Sequence, residues 1–220
     1  MNATPRPVAT DQQGIHPRLK RVVNHHLQHS FRRPPAPHAA HFRTQALARL
    51  NDCDNALILD SGCGTGASTV ALAERFCTAL VVGVDRSEVR LARARARRDI
   101  PENVLFVRAN LEDCWSLLAQ HEVRLSHHFL LYPNPWPKQR HLMRRWHAHP
   151  LMPLMLGISR RLELRTNWRI YAEEFAASIE LHGNFAVTVA ALSPQQPISA
   201  FEKKYLDAGQ QLYCVRAEAF

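Results

Sequence analysis

A short apolar run, Ala56–Asp60, passes without a break into D-S-G-C-G-T-G and then into a helix-forming stretch, Ala67–Phe76. No other feature narrows the fold so far. Gly62, Gly64 and Gly66 let the backbone turn tightly and approach a ligand closely, where a side chain would collide. Leu80–Val84 reads as a second strand ending at Asp85, nineteen residues after Gly66, the distance at which a carboxylate reaches the hydroxyls of a ribose. Strand, glycine turn, helix, strand and acid in that order point to a site for an adenosine-type cofactor; the alternative is a structural β–α turn.

The alternation continues downstream. Ser87–Asp99 reads as a helix, Val104–Arg108 as a third strand, Leu111–Gln120 as a third helix and His128–Tyr132 as a fourth strand. His141–Gly157 is expected to be mostly helical despite Pro150 and Pro153, Leu162–Arg165 is a short strand, and Tyr171–His182 is a helix closed by Gly183. Asn184–Ala190 and Gln211–Val215 read as two strands separated by a polar linker with Pro194 and Pro197. Strands alternating with helices imply an α/β fold with a parallel, doubly wound sheet, and two late strands joined without a clear helix imply an antiparallel edge. Residues 1–43 hold six prolines and seven Lys/Arg against one acid, Asp11, and are expected to form a basic arm outside the core, leaving 44–220 as the folded domain.

Charge narrows the partners. Lys and Arg number 28 against 19 Asp and Glu, a formal net charge of +9, which suits a polyanion. No apolar run approaches the roughly eighteen residues of a membrane span, and the N-terminus is too polar for a signal peptide, so a cytoplasmic protein with no membrane partner is expected. The five cysteines are odd in number and form no C-x-x-C pair, as for reduced structural thiols. The histidine pairs His25/His26, His127/His128 and His147/His149 lack partners at ligand spacing, so no metal is expected. Monomer and homodimer fit equally.

Leu130–Arg145, L-L-Y-P-N-P-W-P-K-Q-R-H-L-M-R-R, follows the fourth strand. Pro133, Pro135 and Pro137 remove backbone donors and forbid ladder pairing, so a rigid exposed loop presents Asn134 and Trp136. An amide, a flat aromatic face and nearby cations suit a planar base on a phosphate backbone. The bland alternative is a proline-stiffened surface loop.

Gly62, Gly64 and Ala67 also satisfy the loose dinucleotide pattern. Asp60 argues against it, because a carboxylate beside the glycines repels a pyrophosphate yet accepts hydrogen bonds from an ammonium. S-adenosylmethionine carries an ammonium and a sulfonium but no phosphate. Asn110, after the third strand, is either a contact to its adenine or a helix N-cap.

With Asp60–Gly66, Asp85 and the Y-P-N-P-W-P-K-x-R-H loop, the chain resembles the bacterial tRNA (guanine-N7-)-methyltransferases, and the likeness extends through Arg144-Arg145, the T-N-W of Thr166–Trp168 and F-E at Phe201-Glu202. The resemblance covers residues 40 to 215 and implies a Rossmann-like class I S-adenosylmethionine-dependent methyltransferase fold with a seven-stranded, mostly parallel sheet. It implies methyl transfer to a guanosine in the tRNA variable loop, with tRNA as partner. By resemblance Asp60, Asp85, Asn110 and Asn134 fall at cofactor positions, Asn134 also at the position assigned catalysis. Lys138, Asn167 and Ser199, Ala200, Phe201 and Glu202 fall at substrate positions. Where the family usually has aspartates, this chain has Asn110, Asn134 and Asn167, and Ser199-Ala200 replaces Thr-Lys.

Guanine N7 already presents a lone pair, so positioning supplies most of the rate, worth roughly 7–11 kcal/mol in effective molarity. Trp136 is expected to wall the pocket, with Lys138, Arg140, Arg144 and Arg145 on phosphate. Glu202 is expected to accept from guanine, or else to form a solvated pair with Lys203; Trp136 and Trp168 are either stacking partners or core aromatics. Arg90, Arg93, Arg95, Arg97 and Arg98 read as one exposed helix face. Two other functions fit: a methyltransferase in which the Asn134 amide oxygen accepts from an exocyclic amine or amide, and a non-catalytic tRNA-binding protein.

Overall fold

The computed structural model describes residues 5–29, 31, 33, 34, 36 and 56–220. In chain order its elements are α1 (Leu19–Gln28), β1 (Leu57–Ser61), α2 (Ala67–Arg75), β2 (Leu80–Asp85), α3 (Glu88–Arg95), β3 (Val104–Arg108), α4 (Leu111–Gln120), β4 (His127–Leu131), α5 (Met152–Gly157), β5 (Arg161–Thr166), α6 (Arg169–His182), β6 (Phe185–Leu192), α7 (Ala200–Asp207) and β7 (Leu212–Ala219). The strands form one sheet in the order β3-β2-β1-β4-β5-β7-β6. β1 to β5 pair in parallel, and β7 runs antiparallel to both β5 and β6. The antiparallel strand is therefore one place in from the edge, and β6 is outermost.

Every residue of β1 and β2 is buried, as helices on both faces of a parallel sheet require. Alternate residues serve opposite layers: Ile58, Val81, Phe106 and Phe129 pack beneath α2 and α3, while Leu59, Val82, Leu130 and Leu164 pack against Trp115 of α4 and against Tyr171 and Phe175 of α6. Because β2 and β4 flank β1 on opposite sides, the connections leave β1 in opposite directions. A crevice opens at the strands' carboxyl ends at such a switch point.

Four expectations change. The helix expected over 87–99 ends at Arg95, since Pro101 disfavours helix at the preceding residue and Arg97 pairs with Asp99 instead. The stretch 141–157 holds two 3-10 turns, Gln139–Arg144 and Trp146–Ala148, before the short α5, which begins with Pro153 in its first turn. The linker between the last strands contains α7, whose N-cap Ser199 accepts from the Glu202 amide at 3.1 Å. Ser199 and Glu202 have the spacing of a capping box, the signal that marks this helix.

The fourth change concerns the amino-terminal segment, whose described part is no free arm. Leu19 and Val23 are buried beside Leu142 and Ala148, with Val22 and Leu181 packed on them. The spacing of Leu19, Val22, Val23 and His26 is that of one helix face. Ahead of α1, the chain meets Glu174 of α6. The Glu174 carboxylate accepts from Gln12 Nε2 (2.6 Å), the His16 amide (2.8 Å), Arg145 Nη1 (2.6 Å) and His147 Nε2 (2.8 Å). Residues Glu174, Arg145 and His147 are fully buried. The boundary placed at 43/44 lies outside the described residues.

Burial pushes the Glu174 carboxyl up, but the His147 hydrogen bond, the neighbouring positive charge and the His16 amide outweigh it and hold the group at about 2. A carboxyl depressed from its ordinary 4.5 contributes stability that is present above that pH and lost as pH falls towards 2. Glu174→Gln leaves the Arg145 guanidinium buried without its counter-charge and is expected to cost about 3–5 kcal/mol. Urea denaturation at pH 7 measures the loss, and a pH series checks that stability between pH 4.5 and 2 falls less steeply in the variant than in the wild type.

Candidate active site

The turn after β1 is held from behind. The Gly62 and Cys63 amides both donate to Val84 O, at 2.8 and 3.0 Å, tying the glycine elbow to the end of β2. Gly62, Gly64 and Gly66 have φ of +83°, +58° and +78°, the left-handed region that side chains disfavour. Asp60 is 1% exposed, and its Oδ2 accepts from Ser68 Oγ (2.6 Å) and Thr69 Oγ1 (2.7 Å) in the first turn of α2. Burial raises its carboxyl to about 6 against the opposing pull of those hydroxyls. Asp60 thus clamps β1 to α2.

Beneath the elbow runs a chain of buried polar groups. Ser159 Oγ donates to Met155 O (2.7 Å) and so accepts from His128 Nδ1 (2.9 Å); His128 Nε2 must then accept from Ser61 Oγ (2.7 Å), which in turn accepts from Trp115 Nε1 (3.1 Å). Burial pushes the His128 imidazole down to about 3, so it stays neutral with its proton on Nδ1.

Of the cofactor positions, Gly62, Asp85, Asn110 and Asn134 line one cavity of about 360 Å3. Asp85 accepts from the Gly64 amide (3.0 Å) and the Ser87 amide (2.8 Å), with Arg90 Nη1 at 3.6 Å. Asn110 occupies the N-cap position of α4 but its side chain makes no cap hydrogen bond. Trp136 and Arg144 join from the proline loop, and Arg86, Arg90, Glu112 and Trp146 are lining residues that the sequence did not single out for this site. Gly64, Gly66, Lys138 and Arg140 lie outside the lining; the last two are exposed. A second cavity of about 340 Å3, between Arg75, His127, Glu163 and Glu218, opens at the opposite ends of the strands.

The loop is strained as well as stiff. Tyr132 and Trp136 have φ of +52° and +46°, each costing about 1–3 kcal/mol in a residue with a side chain. The Trp136 amide donates to Asn134 Oδ1 (3.3 Å), its carbonyl accepts from Arg145 Nε (3.2 Å), and the Arg144 guanidinium lies 4.8 Å from its ring centre. Thr10 Oγ1 donates to Pro137 O at 2.7 Å. The adjacent arginines divide: Arg144 faces the cavity, whereas Arg145, expected on phosphate, is buried and also donates to Gln12 Oε1 (3.0 Å) and lies over the Trp168 ring. Trp168 is itself buried, as a core aromatic.

The remaining substrate positions stand apart from the cavity. Asn167 Nδ2 donates to Gln210 Oε1 (2.8 Å), and Gln210 donates to Pro5 O. Glu202 is fully buried on Arg165, at 2.8 and 3.1 Å, so neither a free carboxylate for a base nor a pair with Lys203 is formed; Lys203 pairs with Asp207. Ala200 opens α7, and Phe201 is half exposed, stacked on Tyr205, which meets Tyr132.

A family model described as "Putative methyltransferase" matches residues 54–215. The chain belongs to this methyltransferase family. The methyltransferase is 27% identical over 176 residues to the tRNA (guanine-N(7)-)-methyltransferase of Brevibacillus brevis, covering 74% of this chain and 81% of that protein. A 53-residue stretch is 53% identical to the trans-aconitate 2-methyltransferase of Variovorax paradoxus, 24% of this chain and 20% of that one. Among solved structures, the 16S rRNA methyltransferase KamB superposes with a TM-score of 0.59 at 16% identity, over 79% of this chain and 93% of that one, which establishes the shared fold.

In this methyltransferase Gly66 serves packing as much as turning. A Cβ there would lie 2.6 Å from Phe106 Cζ and 2.9 Å from Ala94 Cβ, at a φ of +78°. Gly66→Ala is expected to lose about 1–3 kcal/mol of stability, read as a lower urea midpoint; an unchanged midpoint would contradict the fit.

Proposed function

We propose that this methyltransferase uses S-adenosylmethionine to methylate guanine N7 in the variable loop of tRNA. The observation that carries the reading is the single cavity in which the Gly62 elbow, Asp85 at the tip of β2 and the Asn134–Trp136 loop meet, in a chain alike to a tRNA (guanine-N(7)-)-methyltransferase over three-quarters of its length. Its volume falls in the range of small-molecule sites. The donor set fits the cofactor: the Asp85 carboxylate accepts from ribose hydroxyls and Asn110 reaches adenine. When bound, the cofactor supplies an electrophilic methyl group on a sulfonium.

The chain's own part is to place a base. N7 attacks through an existing lone pair, so no general base is needed, and Asn134 in place of a carboxylate is compatible with turnover. Guanine presents two acceptors, N7 and O6, on one edge. With Asn134 Oδ1 engaged by the Trp136 amide, the Asn134 NH2 is the group left to donate, and O6 beside N7 suits it. Trp136 walls the base, and Arg144, Lys138 and Arg140 serve phosphate.

Incubation with labelled S-adenosylmethionine and total tRNA, followed by nucleoside analysis, is expected to yield 7-methylguanosine. Methyladenosine, label on protein or no transfer would overturn the assignment. Asp85→Asn is expected to weaken the cofactor's Kd about tenfold by calorimetry, about 1.4 kcal/mol. Asn134→Ala, which removes both the donor and the brace on Trp136, is expected to lower kcat/KM for tRNA by about 10–100-fold.

A further inference from the structure

Six arginines fall between residues 86 and 98, and the site described above uses only Arg86 and Arg90. Leu91 and Ala94 turn the apolar side of α3 into the core, leaving Arg90 and Arg93, three residues apart, as neighbours on the outer side. Arg95 pairs with Glu88 and Arg97 with Asp99. Arg93 and Arg98 are exposed and, among the described residues, have no acidic partner; the same holds for Arg86 and for Arg108 on β3, whose Nε donates to Arg86 O. Like charges packed on one helix repel, and among the described residues no ion pair offsets that cost at Arg86, Arg93 or Arg98. It begins at the cavity rim, where Arg86 and Arg90 line one wall with Arg144, and continues along the β3 edge of the sheet.

A sulfonium cofactor has no use for such a field. A strand carrying a phosphate on either side of the methylated base does. We propose that the α3 ridge, from Arg86 and Arg90 through Arg93 to Arg98, is a phosphodiester-binding surface that receives the substrate RNA beside the nucleotide being methylated. The inference rests on the reading of this enzyme as an RNA methyltransferase and adds where the backbone lies. α3 spans about 12 Å, enough to follow more than one phosphate along the strand.

The test compares wild type, Arg93→Gln/Arg98→Gln, and Lys20→Gln/Arg21→Gln. The last pair removes the same charge from exposed positions on α1, which packs on α6 at the other half of the sheet. Full-length protein is titrated with tRNA across a salt series, and methyl transfer is followed at saturating tRNA. The ridge variant is expected to bind tRNA at least about fivefold more weakly, with a log Kd against log salt slope shallower by about 1–2. Its kcat and its Kd for S-adenosylmethionine should match wild type, and the α1 variant should bind tRNA as wild type does. Wild-type tRNA binding in the ridge variant, or equal weakening in the α1 variant, would overturn the ridge while leaving RNA methylation intact. Ridge-dependent binding without any methyl product would sustain the ridge and sink the proposed reaction; wild-type protein that binds no tRNA would sink both.

Discussion

One buried carboxylate holds the working side of this molecule together. Glu174 gathers Gln12, His16, Arg145 and His147, and Arg145 passes the constraint on to the carbonyl of Trp136. An ion pair removed from water is tolerated only when its remaining lone pairs and protons are satisfied, and here they are met largely from the amino-terminal segment and the loop. The unfavourable φ at Trp136 persists because a guanidinium fixed elsewhere over-determines it. The loop's shape is therefore a property of the core behind it, and prolines alone would not impose it.

The two walls of the cavity are built on different principles. The elbow wall is rigid because its hydrogen bonds close on themselves: Asp60 to α2, Gly62 and Cys63 to Val84, and the directed series from Trp115 through Ser61 and His128 to Ser159. The loop wall is held by charge and strain and presents Asn134, Trp136 and Arg144.

Much of this was legible in the chain. The inner strands announced themselves as apolar runs because both faces are covered, and Asp85 and the glycine turn follow from local order alone. What escaped depends on partners distant in sequence. That the hydroxyls of Ser68 and Thr69 donate to Asp60 and tie β1 to α2 is visible only in the fold. Arg144 and Arg145 are identical letters with opposite fates, because the 3-10 turn ends between them and sends one to the cavity and the other inward. The prolines and positive charge of the first residues masked the helical spacing of Leu19, Val22, Val23 and His26, and α7 hid behind Pro194 and Pro197 although Ser199 and Glu202 marked its start.

The span from Gln12 to Glu174, 162 residues, sets an order of events as the chain is made. The segment that braces the proline loop is synthesised well before its anchor on α6. Through most of synthesis the sheet can assemble around β1 while the loop lacks its brace. The brace thus closes only after α6 has been made, in a step that joins two segments far apart along the polypeptide.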